Sequence, residues 1–141
     1  MGGAKKPLFY LEPTSMSFGG TSATITFDIS RLTLPSNYIA AVSIMGLGAF
    51  GSTGNAAIAG GFVFSANQQG ANISSGSGIA GYAGNNYYQS SANVFSSASK
   101  SITSTTLTIT VSWDIYTNIT FNANCLFANL AIYNITSGSI T

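Results

Sequence analysis

One stretch of the chain alternates strictly between polar and apolar side chains: residues 106–113, which read TLTITVSW. In an extended backbone Leu107, Ile109, Val111 and Trp113 fall on one side, and the Thr and Ser residues fall on the other. This period of two is typical of a strand with one face in a core and the other in solvent. The stretch therefore predicts a β-sheet with one buried face.

The same period recurs on both sides of this segment. Residues 24–29, TITFDI, and residues 115–121, IYTNITF, follow it. Residues 38–45 and 125–133 are apolar on both faces, which is typical of central strands or of strands whose second face meets a partner. We find no stripe of apolar residues at helical spacing in any segment of ten or more residues, so the sequence predicts an all-β chain.

The middle of the chain has a different texture. Residues 46–84 hold 11 of the 16 glycines, with Ala, Ser and Asn between them. We interpret residues 46–98 as long Gly-rich loops with short strands, ordered by packing, and a flexible linker is the alternative. About eight short strands without helices predict a single β-sandwich domain, jelly-roll-like, over residues 1–141, with residues 1–10 as an N-terminal arm.

Charge is almost absent from the sequence. The chain has four basic and three acidic residues, 5% of its length, and residues 32–99 contain no Asp, Glu, Lys, Arg or His. A soluble monomer usually carries about a quarter of its residues as charges, which keep it solvated. A surface this neutral is suited to packing against copies of itself or against other neutral partners.

The residue types that most enzymes need are missing. The chain has no His, one Cys and three carboxylates, Glu12, Asp28 and Asp114, which are far apart in the sequence. General acid–base catalysis, zinc and calcium sites and an activated thiol all require more than this composition supplies. We therefore predict no enzyme activity, no metal and no cofactor, with a Ser–Lys pair at Lys100 as the remaining catalytic alternative. Cys125 lies in an apolar run and is expected to be a buried structural thiol.

Basic residues are too few for tight binding to nucleic acid. Lys5, Lys6, Arg31 and Lys100 could neutralise at most about four phosphates, so binding would be weak and sensitive to salt. The N-terminus has no apolar stretch behind its lysines, so we expect no secretory signal and synthesis in the cytosol. Contact of the apolar residues 39–64 with a membrane is an alternative that the sequence leaves open.

Three N-glycosylation sequons occur, at Asn72, Asn118 and Asn134. Their number is about what chance gives in a chain so rich in Asn, Ser and Thr. Asn118 falls on the polar face of its predicted strand, where a glycan could reach solvent. The three Asn residues are therefore candidate glycosylation sites by position only.

A Tyr/Asn-rich segment is a candidate contact site for sugars or for a protein partner. Tyr82, Tyr87 and Tyr88 lie close in sequence to Asn85 and Asn86, in a predicted loop. Aromatic rings that stack on a sugar, beside amide groups that hydrogen-bond to it, suit carbohydrate binding. Packing of the loop itself, or filling of an interface, is the alternative role for these rings.

In its overall composition and sequence pattern, the whole chain resembles the small β-sandwich and jelly-roll virion structural proteins of viruses of archaea and bacteria. The shared features are neutral strands rich in Thr, Ser and Asn, Gly-rich loops, a cytosolic start and the lack of catalytic groups. The resemblance implies a viral capsid or virion subunit, made in the host cytoplasm, that associates with copies of itself and with other virion proteins. The expected assembly arm would use Leu8, Phe9 and Tyr10.

Two other functions remain open at this point. One is an extracellular, pilus-like filament subunit that completes a neighbour's sheet by strand exchange, through residues 8–12 or residues 107–113. The other is a carbohydrate-binding attachment module that uses the Tyr/Asn-rich segment. Both, like a virion subunit, would act by binding and would catalyse no reaction.

Overall fold

A computed structural model of the chain describes residues 5–19, 22–50, 54–66, 72–73, 77–82, 85–89, 95–113 and 121–141. All regular secondary structure in these residues consists of β-strands. The strands are β1 Phe9–Leu11, β2 Ser15–Gly19, β3 Ser22–Asp28, β4 Tyr38–Phe50, β5 Gly54–Ser65, β6 Asn72–Ile73, β7 Ser77–Tyr82, β8 Asn85–Gln89, β9 Phe95–Ile102, β10 Thr106–Trp113, β11 Phe121–Thr136 and β12 Ser139–Ile140.

The strands form two antiparallel sheets that pack against each other. The larger sheet has eight strands in the order β1-β11-β4-β5-β7-β8, with β12 paired to β11 and β6 paired to β5. The smaller sheet has four strands in the order β2-β3-β10-β9. The predicted all-β, sandwich-like architecture is confirmed.

The segment from Thr106 to Trp113 lies where its alternation predicts, in the interior of the smaller sheet. As β10 it is flanked by β3 and β9, with Leu107 opposite Phe27 and Ile109 opposite Ile25. These four side chains are fully buried, whereas the Thr residues of β10 are half-buried or exposed. One face of the strand therefore supplies the core, as its sequence indicates.

The two segments that are apolar on both faces lie in the interior of the larger sheet. β4 pairs with β11 on one side and with β5 on the other. Ala40, Val42 and Ile44 face the smaller sheet and are buried, whereas the alternate residues Met45 and Leu47 face away from it and are exposed. Only one of the two apolar faces therefore packs into the core, and the other is exposed.

Side chains from both sheets meet in one core. Its members are almost all aliphatic or aromatic and are less than a tenth exposed. They are Ala23, Ile25, Phe27, Ile29, Tyr38, Ala40, Val42, Ile44, Phe62, Phe64, Ala98, Leu107, Ile109, Val111, Leu126, Leu130 and Ile132.

The number and the length of the strands differ from the prediction. About eight short strands were expected, with Gly-rich loops over residues 46–98, yet the described residues form twelve strands and those in this region are largely extended. β5 runs for 12 residues and pairs with β4 in a register without shifts, and β7 and β8 form a hairpin beyond it. Gly and Ala are poor strand formers by themselves. They pair here because the long strand β4 offers a continuous row of backbone donors and acceptors.

Two predicted features lie partly outside the described residues. The run over residues 115–121 contributes only Phe121, which begins β11. Cys125 is part of β11, next to an irregularity in its pairing with β4, and its side chain is not among those described.

Candidate functional site

The few charged residues are distributed unequally between the two sheets. None of the eight strands of the larger sheet contains Asp, Glu, Lys or Arg. In the smaller sheet Asp28 ends β3 and Lys100 lies in β9. The larger sheet is therefore a neutral layer across its whole width.

Apolar side chains project from the outer face of this neutral sheet. Phe127 is 57% exposed and lies directly opposite Met45, which is 48% exposed. Leu47 on β4 and Tyr10 on β1 are exposed as well. We call these four residues the outer apolar patch.

A groove of about 610 Å³ adjoins the outer apolar patch. Its walls come from β1, from the connection to β2, from β2, and from the middle of β4 and β11. It is lined by Tyr10, Glu12, Pro13, Met16, Ser43, Ile44, Met45, Leu126, Phe127, Ala128 and Asn129. Glu12 is the one charged side chain among them, so the groove suits an apolar occupant.

Lys100 is the one buried charged residue in the part of the chain that the structure describes, with 6% of its surface exposed. Its Nζ donates hydrogen bonds to the carbonyl oxygens of Ser65 at 3.0 Å and Ala66 at 3.3 Å, and to Tyr38 Oη at 3.4 Å. The same nitrogen lies 5.2 Å from the centre of the Tyr38 ring and 5.9 Å from that of Phe64. Three acceptors and two ring faces therefore hold the amino group where the two sheets meet.

Burial lowers the pKa of Lys100, because packing between the sheets removes part of the water around the amino group. Burial likewise raises the pKa of Tyr38. The alternative of a Ser–Lys pair gains no support from this arrangement, since Ser65 contributes a carbonyl oxygen to the amino group. Sequence reasoning counted Lys100 among the residues that could neutralise phosphates. Its position opposite the buried Ile109, in register with β10, shows that it points inward.

The carboxylates that the structure describes have separate roles. Hydrogen bonds from the Ser30 side chain and from the Ser30 backbone N–H, the latter at 2.9 Å, lower the pKa of the Asp28 carboxyl. The backbone contact closes the turn after β3, as expected of a turn residue. Glu12 lines the groove instead, and Asp114 is outside the described residues. No group of three or more His, Cys, Asp or Glu residues that could hold a metal ion occurs in the described ranges.

The predicted assembly arm is partly built into the chain's own sheet. Phe9 and Tyr10 belong to β1, where they pair with Ile132 and Ala131 of β11. The backbone N–H of Leu8 donates to the carbonyl oxygen of Ile132 at 2.7 Å. The side chains of Leu8 and Tyr10 nevertheless remain exposed. They are accessible to a neighbour even though the backbone is already paired.

Strand exchange through residues 107–113 is not compatible with the position of this segment. β10 is paired along its length with β3 on one side and with β9 on the other. Its removal would expose the fully buried side chains of Leu107, Ile109 and Val111. The segment is therefore a structural strand of this domain.

The three sequons fall in different places. Asn134 is half-buried near the end of β11, and its Nδ2 donates to the side-chain oxygens of Thr136 at 3.2 Å and Thr141 at 2.8 Å. Asn72 belongs to β6, with its side chain not described, and Asn118 lies outside the described residues. In the folded chain the amide of Asn134 is thus already engaged.

The Tyr/Asn-rich segment is a hairpin in the backbone. Tyr82 ends β7 and pairs with Asn85 of β8, while Tyr87 and Tyr88 of β8 pair with Ala80 and Ile79. The sequence predicted a loop region with short strands here, and two paired strands are observed. The side chains of these tyrosines are not described, so sugar binding stays a prediction.

In the described part of the chain, no helix is long and apolar enough to cross a membrane. Comparisons with known proteins add no relative: no family model, no curated protein and no solved structure matches the chain.

Proposed function

We propose that this protein is a structural subunit of a large assembly of identical copies, and that the assembly is a virion shell. The observation that carries the proposal is the neutral larger sheet, whose outer face presents the outer apolar patch to solvent. Exposed apolar patches rimmed by polar residues are typical of interaction sites.

The chemistry of this face matches that of protein interfaces. The buried centres of interfaces are depleted in charged residues and enriched in aromatic residues and Met. Phe127, Tyr10 and Met45 are of these types, and no charge lies on the strands around them. Two neutral faces can approach each other without charge repulsion and without desolvating ions.

The finer topology that we propose for the sandwich is jelly-roll-like. The chain passes from one sheet to the other four times: after β1, after β3, after β8 and after β10. As a result, β11 lies between β1 and β4, and β10 lies between β3 and β9. Interleaving of strands from both halves of the chain supports a double-sheet roll of the kind found in viral capsid domains.

Light-scattering mass after size-exclusion chromatography, with negative-stain imaging of the same fractions, tests the proposal. We expect discrete particles far heavier than the 14.5 kDa chain. A monomer at every concentration up to several milligrams per millilitre would overturn the proposed function. Fibres in place of closed particles would favour the filament alternative.

A charge placed in the outer apolar patch should prevent the formation of large particles. Phe127→Lys puts an ammonium group opposite Met45, where a neighbouring copy would have to desolvate it. We expect the large particles to disappear and small species to remain, because the substituted position is exposed and folding is preserved. The measurement is the distribution of mass in light scattering, with circular dichroism to confirm folding.

The matched control is Thr110→Lys, which adds the same charge at an exposed position of β10 in the smaller sheet. This variant should assemble like the unmodified chain. If Phe127→Lys also assembles normally, the outer apolar patch is not a contact between copies.

A further inference from the structure

We infer that β2 pairs edge to edge with β2 of a second copy, so that the smaller sheets of two molecules join into one continuous sheet of eight strands. The inference rests on the proposed self-assembly and names one contact that builds it. The partner is a second copy of this chain, since a strand edge is filled by another strand and β2 is complementary to itself.

The first observation is that β2 lies at an edge of its sheet. It pairs with β3 on one side, in a register without shifts, and no described residue pairs with its other side. Its sequence, SMSFG, contains neither a charge nor a proline. An unpaired edge of this kind offers backbone donors and acceptors to another strand.

The second observation is that the core is open along β2. Met16 and Phe18 lie opposite the buried residues Ile25 and Ala23, so they share the face of β3 that is directed toward the larger sheet. Yet Met16 is 38% and Phe18 is 41% exposed. Apolar side chains on a core-facing surface that remain this exposed indicate that a further strand belongs beside them.

The third observation is the contrast with the other edge strands whose side chains are described. β9 carries the inward-pointing Lys100, β1 is three residues long and is followed directly by Glu12, and β12 is two residues long. Inward charges, prolines and short lengths are the devices by which proteins block pairing at an edge. β2 has none of them, although Pro13 precedes it by two residues.

A two-fold axis perpendicular to the sheet at Ser17 gives the most complete pairing. The two copies of β2 then run antiparallel, with Ser17 opposite Ser17 and Met16 opposite Phe18 of the second copy. All five residues of each strand take part, and each Met sulfur meets an aromatic ring on the core-facing side. The groove beside Met16 lies along the same opening.

A cysteine at the two-fold axis tests this register. Ser17→Cys is nearly isosteric, so it preserves folding, and it brings two thiols onto opposite residues with Cα atoms about 4.5–5.5 Å apart, within the range of a disulfide. In the same pairing Ser15 lies about 14 Å from Ser15 of the second copy, four residues along the strand, and cannot be bridged. Under mild oxidation we expect at least about ten times more disulfide-linked dimer from Ser17→Cys than from Ser15→Cys, on a non-reducing gel with the unmodified chain as the baseline for Cys125.

A second variant tests the contact without a cross-link. Phe18→Lys places a charge on the core-facing edge of both copies, and we expect it to weaken the dimer by a factor of about 100. Thr110→Lys adds the same charge in the centre of the same sheet and should leave the dimer unchanged. In the Phe127→Lys background, the species that remains should have twice the mass of the chain.

The outcomes separate this inference from the proposed function. If the unmodified chain assembles but Ser17→Cys gives no more dimer than Ser15→Cys, pairing through β2 is overturned and self-assembly stands. If Phe18→Lys dimerises as tightly as Thr110→Lys, the inference fails in the same way. If the unmodified chain is monomeric at every concentration, both the pairing through β2 and the proposed self-assembly are overturned.

Discussion

Truncation of Phe27 to alanine should lower the free energy of unfolding by about 3–5 kcal/mol, the typical loss for a large aromatic ring in a core. Phe27 is fully buried near the end of β3, opposite Leu107 of β10. Its ring lies between the two sheets, so its removal leaves a cavity that rigid strands on both sides cannot close. Domains of this size are stable by about 5–15 kcal/mol, so the loss is a large part of the total.

Equilibrium unfolding in urea measures this effect, and Phe127→Ala is the matched control. Phe127 is the same residue type at a position that is more than half exposed, and its truncation should change stability by less than about 1 kcal/mol. Both variants are compared in the same oligomeric state, because assembly makes stability depend on concentration. Equal losses for the two variants would contradict the placement of Phe27 in the core.

Strand alternation made the centre of the fold predictable from the sequence. β3 and β10 have one strictly apolar side each, and every side chain described on that side is buried. β4 and β11 are apolar on both sides, which predicted either full burial or a partner on the second face. The structure shows one buried face and one exposed face on β4. In the proposed assembly, a partner would cover the exposed face.

The order of the strands and the Gly-rich region were not predictable in the same way. Gly54–Ser65 has few side chains to mark its two faces, so no period indicated a strand over its full length. Its pairing comes from the length of β4, which is a tertiary effect. β2 also escaped prediction, because the alternation of Met16 and Phe18 with Ser residues covers only five positions.

The burial of Lys100 could not be predicted from the sequence. Its strand, FSSASKSI, is polar on both sides of Ala98, so nothing local distinguished the inward positions from the outward ones. The distinction comes from the register with β10, where Ala98 and Lys100 lie opposite Val111 and Ile109. An inward lysine on an edge strand also fits the protection of that edge from unwanted pairing.

Replacement of Lys100 by methionine should make the isolated domain more stable, by up to about 1 kcal/mol near neutral pH, because Tyr38, Ser65 and Ala66 around the amino group line an open pocket that leaves it part of its hydration. The described contacts of the amino group include carbonyl oxygens and rings but no carboxylate that would offset the loss of its water. Met fills a similar volume without this penalty. The carbonyl oxygens of Ser65 and Ala66 lose a donor, but both residues line an open pocket of about 470 Å³ through which water can reach them.

The advantage of Lys100→Met should shrink as the pH rises, and this dependence identifies its cause. The pKa of Lys100 is lowered in the folded chain, whereas in the unfolded chain it is about 10.4. Between these two values the unfolded state binds more protons, so the stability of the unmodified chain rises with pH, while the variant lacks this rise. Tyr38 acts in the opposite direction above pH of about 10, because its pKa is raised, but it is present in both chains and its contribution largely cancels in the difference, so the comparison is made from pH 6 up to about 10.

Thermal and urea unfolding of both chains across this range measure the difference, and Lys6→Met is the control. Lys6 is exposed, so the same substitution there removes an equal charge without relieving any burial. We expect Lys6→Met to match the unmodified chain within about 0.5 kcal/mol at every pH. If Lys100→Met is destabilising throughout, the hydrogen bonds of the amino group to Ser65, Ala66 and Tyr38 outweigh its lost hydration, and Lys100 is a net clamp between the sheets.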